Sequence, residues 1–249
     1  ENFKNLKGIA NAKAEIINNI QKDGTIILNK DDKFFEYLKK KAKMKKLKVI
    51  SCGMDKKADV HLVKILKKGE NSIIKIKLKN QILNLKIKEL NIHNILFSLA
   101  LLEELNLDLQ TVIKNFNSFE PTEGRGKIHK IQRYKKNFKL IDESYNANPL
   151  SVKNAIKNFN SIRKENFKKY LLLGDMLELG RKSEALHINI SKVINNSDID
   201  KVFIKGRETL ATYRNINKNK RGNIFQQDED VDFTLNNIIA NNDYLMIKG

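Results

Sequence analysis

The chain has 249 residues, 41% of them hydrophobic, enough to bury the core of one large domain or two modest ones, and this excludes a disordered chain. No apolar run approaches the roughly 20 residues that a membrane-spanning helix needs, and no signal peptide is visible. Cys52 is the only cysteine, so no internal disulfide forms and a reducing cytoplasm fits; the formal charge of +19 raises the question of a nucleic-acid partner. Nearly all the basic residues are lysines, scattered along the chain, whereas arginine dominates bidentate phosphate and base recognition. The densest run, residues 39–48, reads as a solvated helix end and its loop, and no aromatic-studded strand of the RNA-binding type occurs. No specific nucleic-acid partner is expected. The chain opens on Glu1, and residues 1–7 read like protein interior, so further sequence before it is expected.

In chain order, apolar residues at helical spacing predict a helix over 9–20, closed by Gly24. A short apolar run over 25–28 predicts a strand, and Asp31 and Asp32 suit the start of a helix carrying Phe34, Phe35 and Tyr37. Strands follow over 48–51, 60–66, 72–78 and 82–87; the last two alternate Ile or Leu with polar residues, the pattern of a half-exposed sheet. Residues 93–105 and 109–116 read as apolar helices. Residues 120–126, EPTEGRG, break the rhythm and place a domain boundary near Arg125. Beyond it, strands at 139–141, 170–173, 202–204 and 244–247 alternate with helices at 149–162, 183–194, 208–213 and 231–239. That alternation implies an α/β domain with a parallel sheet.

Two stretches carry chemistry. Residues 141–149, IDESYNANP, place Asp142, Glu143, Tyr145, Asn146 and Asn148 just after a hydrophobic strand, where open α/β sheets bind ligands. A carboxylate there accepts from ribose hydroxyls, and amides orient a substrate. Asn148 and Pro149 equally suit the N-cap and first position of a helix, so the residues alone leave capping and ligand binding evenly open. Residues 173–180, LGDMLELG, also follow a buried strand, with Asp175 and Glu178 in reach of a ligand between two turn-forming glycines. His187, on the next predicted helix, reads by itself as a structural histidine.

IDESYNANP, LGDMLELG and SEALH (residues 183–187), at this separation, resemble the Mur ligase family, in the branch that adds D-alanyl-D-alanine. The branch adding diaminopimelate or lysine usually carries DYAHxP at this point, and folylpolyglutamate synthases carry DGAHNP. Further stretches agree: Lys13 to Ile16 (KAEI) with residues 28–32 (LNKDD), His93-Asn94 opening an apolar helix, Gly124-Arg125, and Lys248-Gly249. On that template residues 1–124 are part of a central ATP-binding domain. Residues 125–249 are a C-terminal Rossmann-like α/β domain that stops short of its end. The family's UDP-binding domain lies outside the chain, and no GxxxxGK[ST] phosphate loop occurs in residues 1–249.

The resemblance implies an ATP-dependent, ADP-forming amide ligase of peptidoglycan synthesis, serving cell-wall biogenesis, cell shape and division. Its substrates would be UDP-N-acetylmuramoyl-tripeptide and D-Ala-D-Ala, joined through an acyl phosphate with ATP and Mg2+, by a cytoplasmic monomer. Lys13 matches a lysine that is carbamylated in the family and so becomes an anionic ligand for magnesium; without the resemblance it reads as a solvated helix lysine. Arg125 matches an arginine on the ATP phosphates, and Asn94 one that reads the adenine edge. Phe97 stands where a second asparagine is common, and Asn91-Ile92 where the family has a glycine. Asp142 and Glu143 match an acidic pair near the ribose. Tyr145, Asn146, Asn148, Asp175 and Glu178 are the expected substrate contacts. This piece alone is expected to be inactive. A basic nucleic-acid-binding protein and a non-catalytic α/β binding module are the competing function classes.

Overall fold

The structure, a computed structural model, describes residues 5–68, 71–87, 92–115 and 121–249. Expectations that rest on residues 1–4, Asn91, Phe116 and Glu120 lie outside the described residues. The chain divides into two compact units, Asn2–Phe119 and Glu120–Gly249.

The first unit is built on a five-stranded sheet in the order β1 (Thr25–Asn29), β2 (Lys48–Gly53), β3 (Val60–Lys68), β4 (Asn71–Leu78), β5 (Gln81–Ile87). β1, β2 and β3 run parallel, and β3 to β5 form an antiparallel meander. Helices α1 (Leu6–Ala14), α2 (Ile16–Asn19) and α3 (Phe35–Met44) cover one face of β1 and β2, where Ile26 and Val49 pack with Ala14, Ile17 and Ala42. On the other face Ile27 and Ile50 join the larger core of Ile74, Ile76, Leu85, Leu96 and Leu99 under α4 (Ile92–Glu104). Strands covered on both faces read as apolar runs; β4 and β5 are covered on one face, so buried Ile74, Ile76, Leu83 and Leu85 alternate with exposed Lys75, Lys77, Asn84 and Lys86. A further helix, α5 (Leu109–Asn115), follows.

Two expectations shift. The first helix begins earlier, because the Asn5 side chain accepts from Gly8 N at 2.9 Å and so caps it, and it breaks at Glu15. Asp31 and Asp32 precede α3 rather than opening it: Asp32 Oδ1 accepts from Phe34 N at 2.7 Å, and Asp31 turns elsewhere. Cys52 is fully buried, and burial pushes its thiol up to about 12, which removes it from nucleophilic chemistry.

The second unit is a six-stranded sheet in the order β10 (Arg221–Phe225), β9 (Lys201–Lys205), β8 (Lys169–Gly174), β11 (Tyr244–Lys248), β7 (Lys136–Asp142), β6 (Lys127–Arg133). All pairs are parallel except the edge hairpin β6–β7. Helices α6 (Pro149–Ser161), α7 (Ser183–Asn195) and α8 (Thr209–Asn215) accompany a core of Val152, Ile156, Ile190, Ile194, Leu171 and Leu173. On the opposite face Leu235 and Ile239, from and just after α9 (Asp228–Ile238), pack on Phe138, Tyr170, Phe203 and Leu245. The sequence reading missed β6 and β10. The β6–β7 turn is Tyr134-Lys135, both at φ 57°, a primed-turn geometry normally marked by Asn-Gly or Asp-Gly. β10 is a polar edge strand with an irregular register. Among the described residues, no helix is long and apolar enough to cross a membrane.

Candidate ligand-binding turns

In the second unit the carboxyl ends of three adjacent parallel strands stand side by side: β8 at Gly174, β11 at Lys248 and β7 at Asp142. The polar turns read from the sequence emerge there, where open α/β sheets bind ligands. Gly174 and Gly249 are so close that a Cβ on Gly174 would meet Gly249 Cα at 2.9 Å, so neither position has room for a side chain.

The turn after β7 is held from several sides. Asp142 Oδ1 accepts from Ser144 Oγ at 2.6 Å and Ser144 N at 3.1 Å, and Oδ2 accepts from Gly124 N at 2.9 Å. The Ser144 hydroxyl bond leads the effects that keep the Asp142 carboxyl below its ordinary range despite partial burial. Gly124, at φ 73°, lies against Tyr145: its carbonyl accepts from Tyr145 N at 3.1 Å, and a Cβ there would stand 2.9 Å from Tyr145 Cβ. This close approach carries the Arg125 guanidinium over the Tyr145 ring, 4.2 Å from its centroid. Tyr145, Asn146 and Asn148 are exposed. Burial, joined by the charge of Asp142, pushes the Glu143 carboxyl up against the pull of Lys248 and Arg125.

The structure gives Asn148 a capping role: its Oδ1 accepts from Leu150 N at 3.1 Å and Ser151 N at 2.9 Å, while Ser151 Oγ receives Asn148 N at 3.0 Å. The amide NH2 is what Asn148 has left to offer a ligand. Asp175 is likewise engaged, accepting from Thr209 N at 2.8 Å and Arg207 N at 3.0 Å, with Gly206 pressed against its carboxylate. Glu178 is exposed at φ 61° in the tight turn ahead of Gly180. His187 is buried: its Nε2 accepts from Met176 N at 3.1 Å and its Nδ1 faces Ser183 O at 2.9 Å, so it pins the 175–183 loop to α7.

Sequence reading did not find His129. Its Nε2, on β6, lies 3.1 Å from Oε2 of Glu123 in the turn before that strand, and ligand atoms of Glu123, His129 and Asp142 all fall within 4.8 Å of one another. Lys127 holds the other Glu123 oxygen at 2.5 Å, and both Asp142 oxygens already accept hydrogen bonds, so these groups are engaged with the protein itself. A cleft of about 850 Å3 lies at the amino ends of β8, β9 and β10, opposite the polar turns, and two of its several charged groups, Lys164 and Asp200, pair with each other at 2.6 Å.

In the first unit the corresponding strand ends are Asn29 and Gly53. Asp31 accepts from Met54 N at 2.7 Å, Asp55 N at 3.1 Å and His93 Nε2 at 2.8 Å. Although burial opposes ionisation, these bonds, led by Met54, hold its carboxyl below the ordinary range. Asp31 thereby fastens the first turn of α4, with exposed Asn94, to the carboxyl end of β2. Phe97 packs against the core, so its ring serves packing at that position. Lys13 is exposed on α1.

Known structures share the architecture. MurF from Acinetobacter baumannii superposes with a TM-score of 0.81 at 21% identity, over 99% of this chain and 53% of that one. The MurF ligase of Thermotoga maritima in complex with ADP gives 0.78 at 19%, over 98% and 54%. The UDP-N-acetylmuramoyl-tripeptide--D-alanyl-D-alanine ligase of Buchnera aphidicola subsp. Baizongia pistaciae is 30% identical over 98% of the chain and 52% of its own length. The chain thus spans about half the length of such relatives. The Mur ligase middle domain model matches residues 1–102, and the Mur ligase, glutamate ligase domain model matches residues 126–249. With these two matches in tandem across nearly its whole length, the chain belongs to the Mur ligase family.

Proposed function

We propose that the chain is part of an ATP-dependent amide-bond ligase that adds D-Ala-D-Ala to UDP-N-acetylmuramoyl-tripeptide in peptidoglycan precursor synthesis. Residues 1–124 belong to its ATP-binding domain, and residues 125–249 form the domain that receives the amino substrate. The observation that carries this reading is the turn after β7. An ionised Asp142, a guanidinium stacked on Tyr145 and an exposed Asn146 stand together at the carboxyl end of a parallel strand, within the sequence SYNANP. The 30% identity with a relative bearing that activity supports the choice of substrates.

In this reading ATP phosphorylates the free carboxylate of the tripeptide, and the amine of D-Ala-D-Ala attacks the acyl phosphate and displaces inorganic phosphate. Arg125 neutralises phosphate charge with its planar fork. One carboxylate of the Asp142–Glu143 pair receives ribose hydroxyls, and Asn94 reads the adenine edge. Tyr145, Asn146, the Asn148 amide and Glu178 orient the amino substrate; Asp175 contributes by fixing its loop. Such catalysis is mainly positioning and charge neutralisation. Carbamylated, Lys13 would offer anionic oxygens that suit Mg2+, and the ion would then neutralise phosphate charge. The protein works as a cytoplasmic monomer without a specific nucleic-acid partner.

The test is ADP release by the full-length protein with UDP-N-acetylmuramoyl-tripeptide. Release that requires D-Ala-D-Ala, and is not supported by diaminopimelate or L-Ala, is expected. Release with another amine reassigns the branch of the family. A protein silent with every amine, yet able to bind the dipeptide, is a binding module.

A further inference from the structure

Lys248 is 2% exposed, a lysine almost wholly inside the protein at the end of the central strand β11. Lysines are rarely buried unless their protons are taken up. Here the ammonium donates to Glu143 O at 2.9 Å and, through a shorter contact, to Asn146 O, and it stands 3.9 Å from Glu143 Oε2. The two carbonyls bracket the turn that displays Ser144, Tyr145 and Asn146. The top of that turn is fixed by Asp142 on Ser144 and by Gly124 against Tyr145. Its underside is fixed by Lys248. Main-chain carbonyls turned inward need a donor, and the Lys248 ammonium, arising from the neighbouring strand, supplies both bonds.

A second buried lysine shows what the same device does elsewhere. Lys169, fully buried at the start of β8, donates to Phe159 O at 3.0 Å and Ile162 O at 2.6 Å and pairs with Asp198 at 2.8 Å. It closes the loop after α6 at the amino end of the sheet, opposite the polar turns. Lys248 closes a turn at the carboxyl end.

We propose that Lys248 is a positioning residue: its buried ammonium tethers the carbonyls of Glu143 and Asn146 and so sets where Tyr145 and Asn146 meet the amino substrate. This rests on the reading that the 142–148 turn binds substrate. Lys248 touches no substrate itself.

The test compares Lys248→Met, Lys248→Arg and Lys169→Met in the full-length protein. Amide exchange of peptides covering 143–147 is measured by mass spectrometry, alongside D-Ala-D-Ala-dependent ADP release. Lys248→Met keeps the length and removes the donors. Exchange over 143–147 is expected to rise at least about tenfold, since two charge-assisted bonds are lost. The KM for D-Ala-D-Ala is expected to rise by about tenfold, with a smaller change in kcat. Lys248→Arg, which keeps a cationic donor, should recover part of both, and it carries the comparison if the Met variant does not fold. Lys169→Met should lower the melting temperature and leave exchange at 143–147 and the KM within about twofold of wild type. Unchanged exchange at 143–147 on removal of the Lys248 ammonium overturns the tether. Equal kinetic losses in the Lys248 and Lys169 variants reduce Lys248 to an ordinary core residue. A wild-type protein that consumes no ATP with D-Ala-D-Ala, while the exchange pattern holds, removes the functional reading and leaves the tether standing.

Discussion

Replacing Asp31 with alanine tests whether one carboxylate holds the carboxyl end of β2 and the start of α4 together. Asp31 receives three hydrogen bonds, from Met54 N, Asp55 N and His93 Nε2. Its side chain keeps 27% of its exposure, and that of His93 keeps 38%. Hydrogen bonds to a charged group contribute about 1.5–3 kcal/mol each where water is excluded. Three would sum to several kcal/mol, but water can reach a site this open and replace part of them. A loss of about 2–4 kcal/mol is therefore expected for Asp31→Ala, and about half of that for Asp31→Asn, whose amide oxygen still accepts from one main-chain amide. Urea unfolding followed by fluorescence and by hydrogen exchange should place the loss in the unit Asn2–Phe119 and leave Glu120–Gly249 unchanged. The pH dependence has a definite sign. The folded-state carboxyl lies below its ordinary value, so its contribution is complete above the unfolded pKa of about 4 and disappears as pH falls through the folded value. The stability gap between wild type and Asp31→Ala should be flat near neutrality and close below about pH 4. A gap under about 0.5 kcal/mol at pH 7, or one that widens in acid, would refute the reasoning.

Three further outcomes are expected. Arg125→Ala in the full-length protein should cut turnover at least about a hundredfold, while its melting temperature moves little, because stacking on the exposed Tyr145 contributes only about 0.5–1 kcal/mol. Arg125→Lys should recover only part of the turnover; equal activity in all three proteins would remove its catalytic role. Lys13→Ala should abolish turnover and regain some with added short carboxylic acids, which replace a carbamate as oxygen ligands; full activity without rescue would leave Lys13 a surface lysine. His187→Ala should lower stability by about 2–4 kcal/mol in urea unfolding, because it empties a buried site and leaves Met176 N unpaired. An unfolding curve that matches wild type would contradict that structural assignment.

Much of the fold was legible because both sheets obey simple periodicities. Tyr170 to Leu173 reads as an unbroken apolar run because β8 is covered on both faces, and β4 and β5 alternate because they are covered on one. Where the sequence misled, a local exception was responsible. Tyr134 and Lys135 adopt a left-handed turn that their chemistry does not announce, so the edge strand β6 went unseen, and with it His129. Asp31 carries a strong helix-start signal, yet the amides of Met54 and Asp55 and the ring of His93 draw its carboxylate toward the strand end. These partners lie more than twenty residues away in sequence, so no local pattern reveals the competition. Lys248 was visible only as part of a motif; its burial depends on β11 entering the sheet between β7 and β8.

In the 142–148 turn the structure supplies the helix cap that the residues alone left open, and the same turn displays side chains that the cap does not use. Asn148 uses its carbonyl oxygen on Leu150 N and Ser151 N, which starts α6 at a fixed place. Asp142 fixes the opposite end through Ser144 and Gly124, and Lys248 holds the carbonyls between. With both ends and the underside bound, Tyr145 and Asn146 are exposed between the fixed points, and Tyr145 supports Arg125. A turn of free polar groups would sample many conformations and lose entropy on meeting a substrate; a turn whose polar groups are mostly engaged with the protein has already lost it. The groups engaged with the protein are thus what hold the exposed ones in one arrangement.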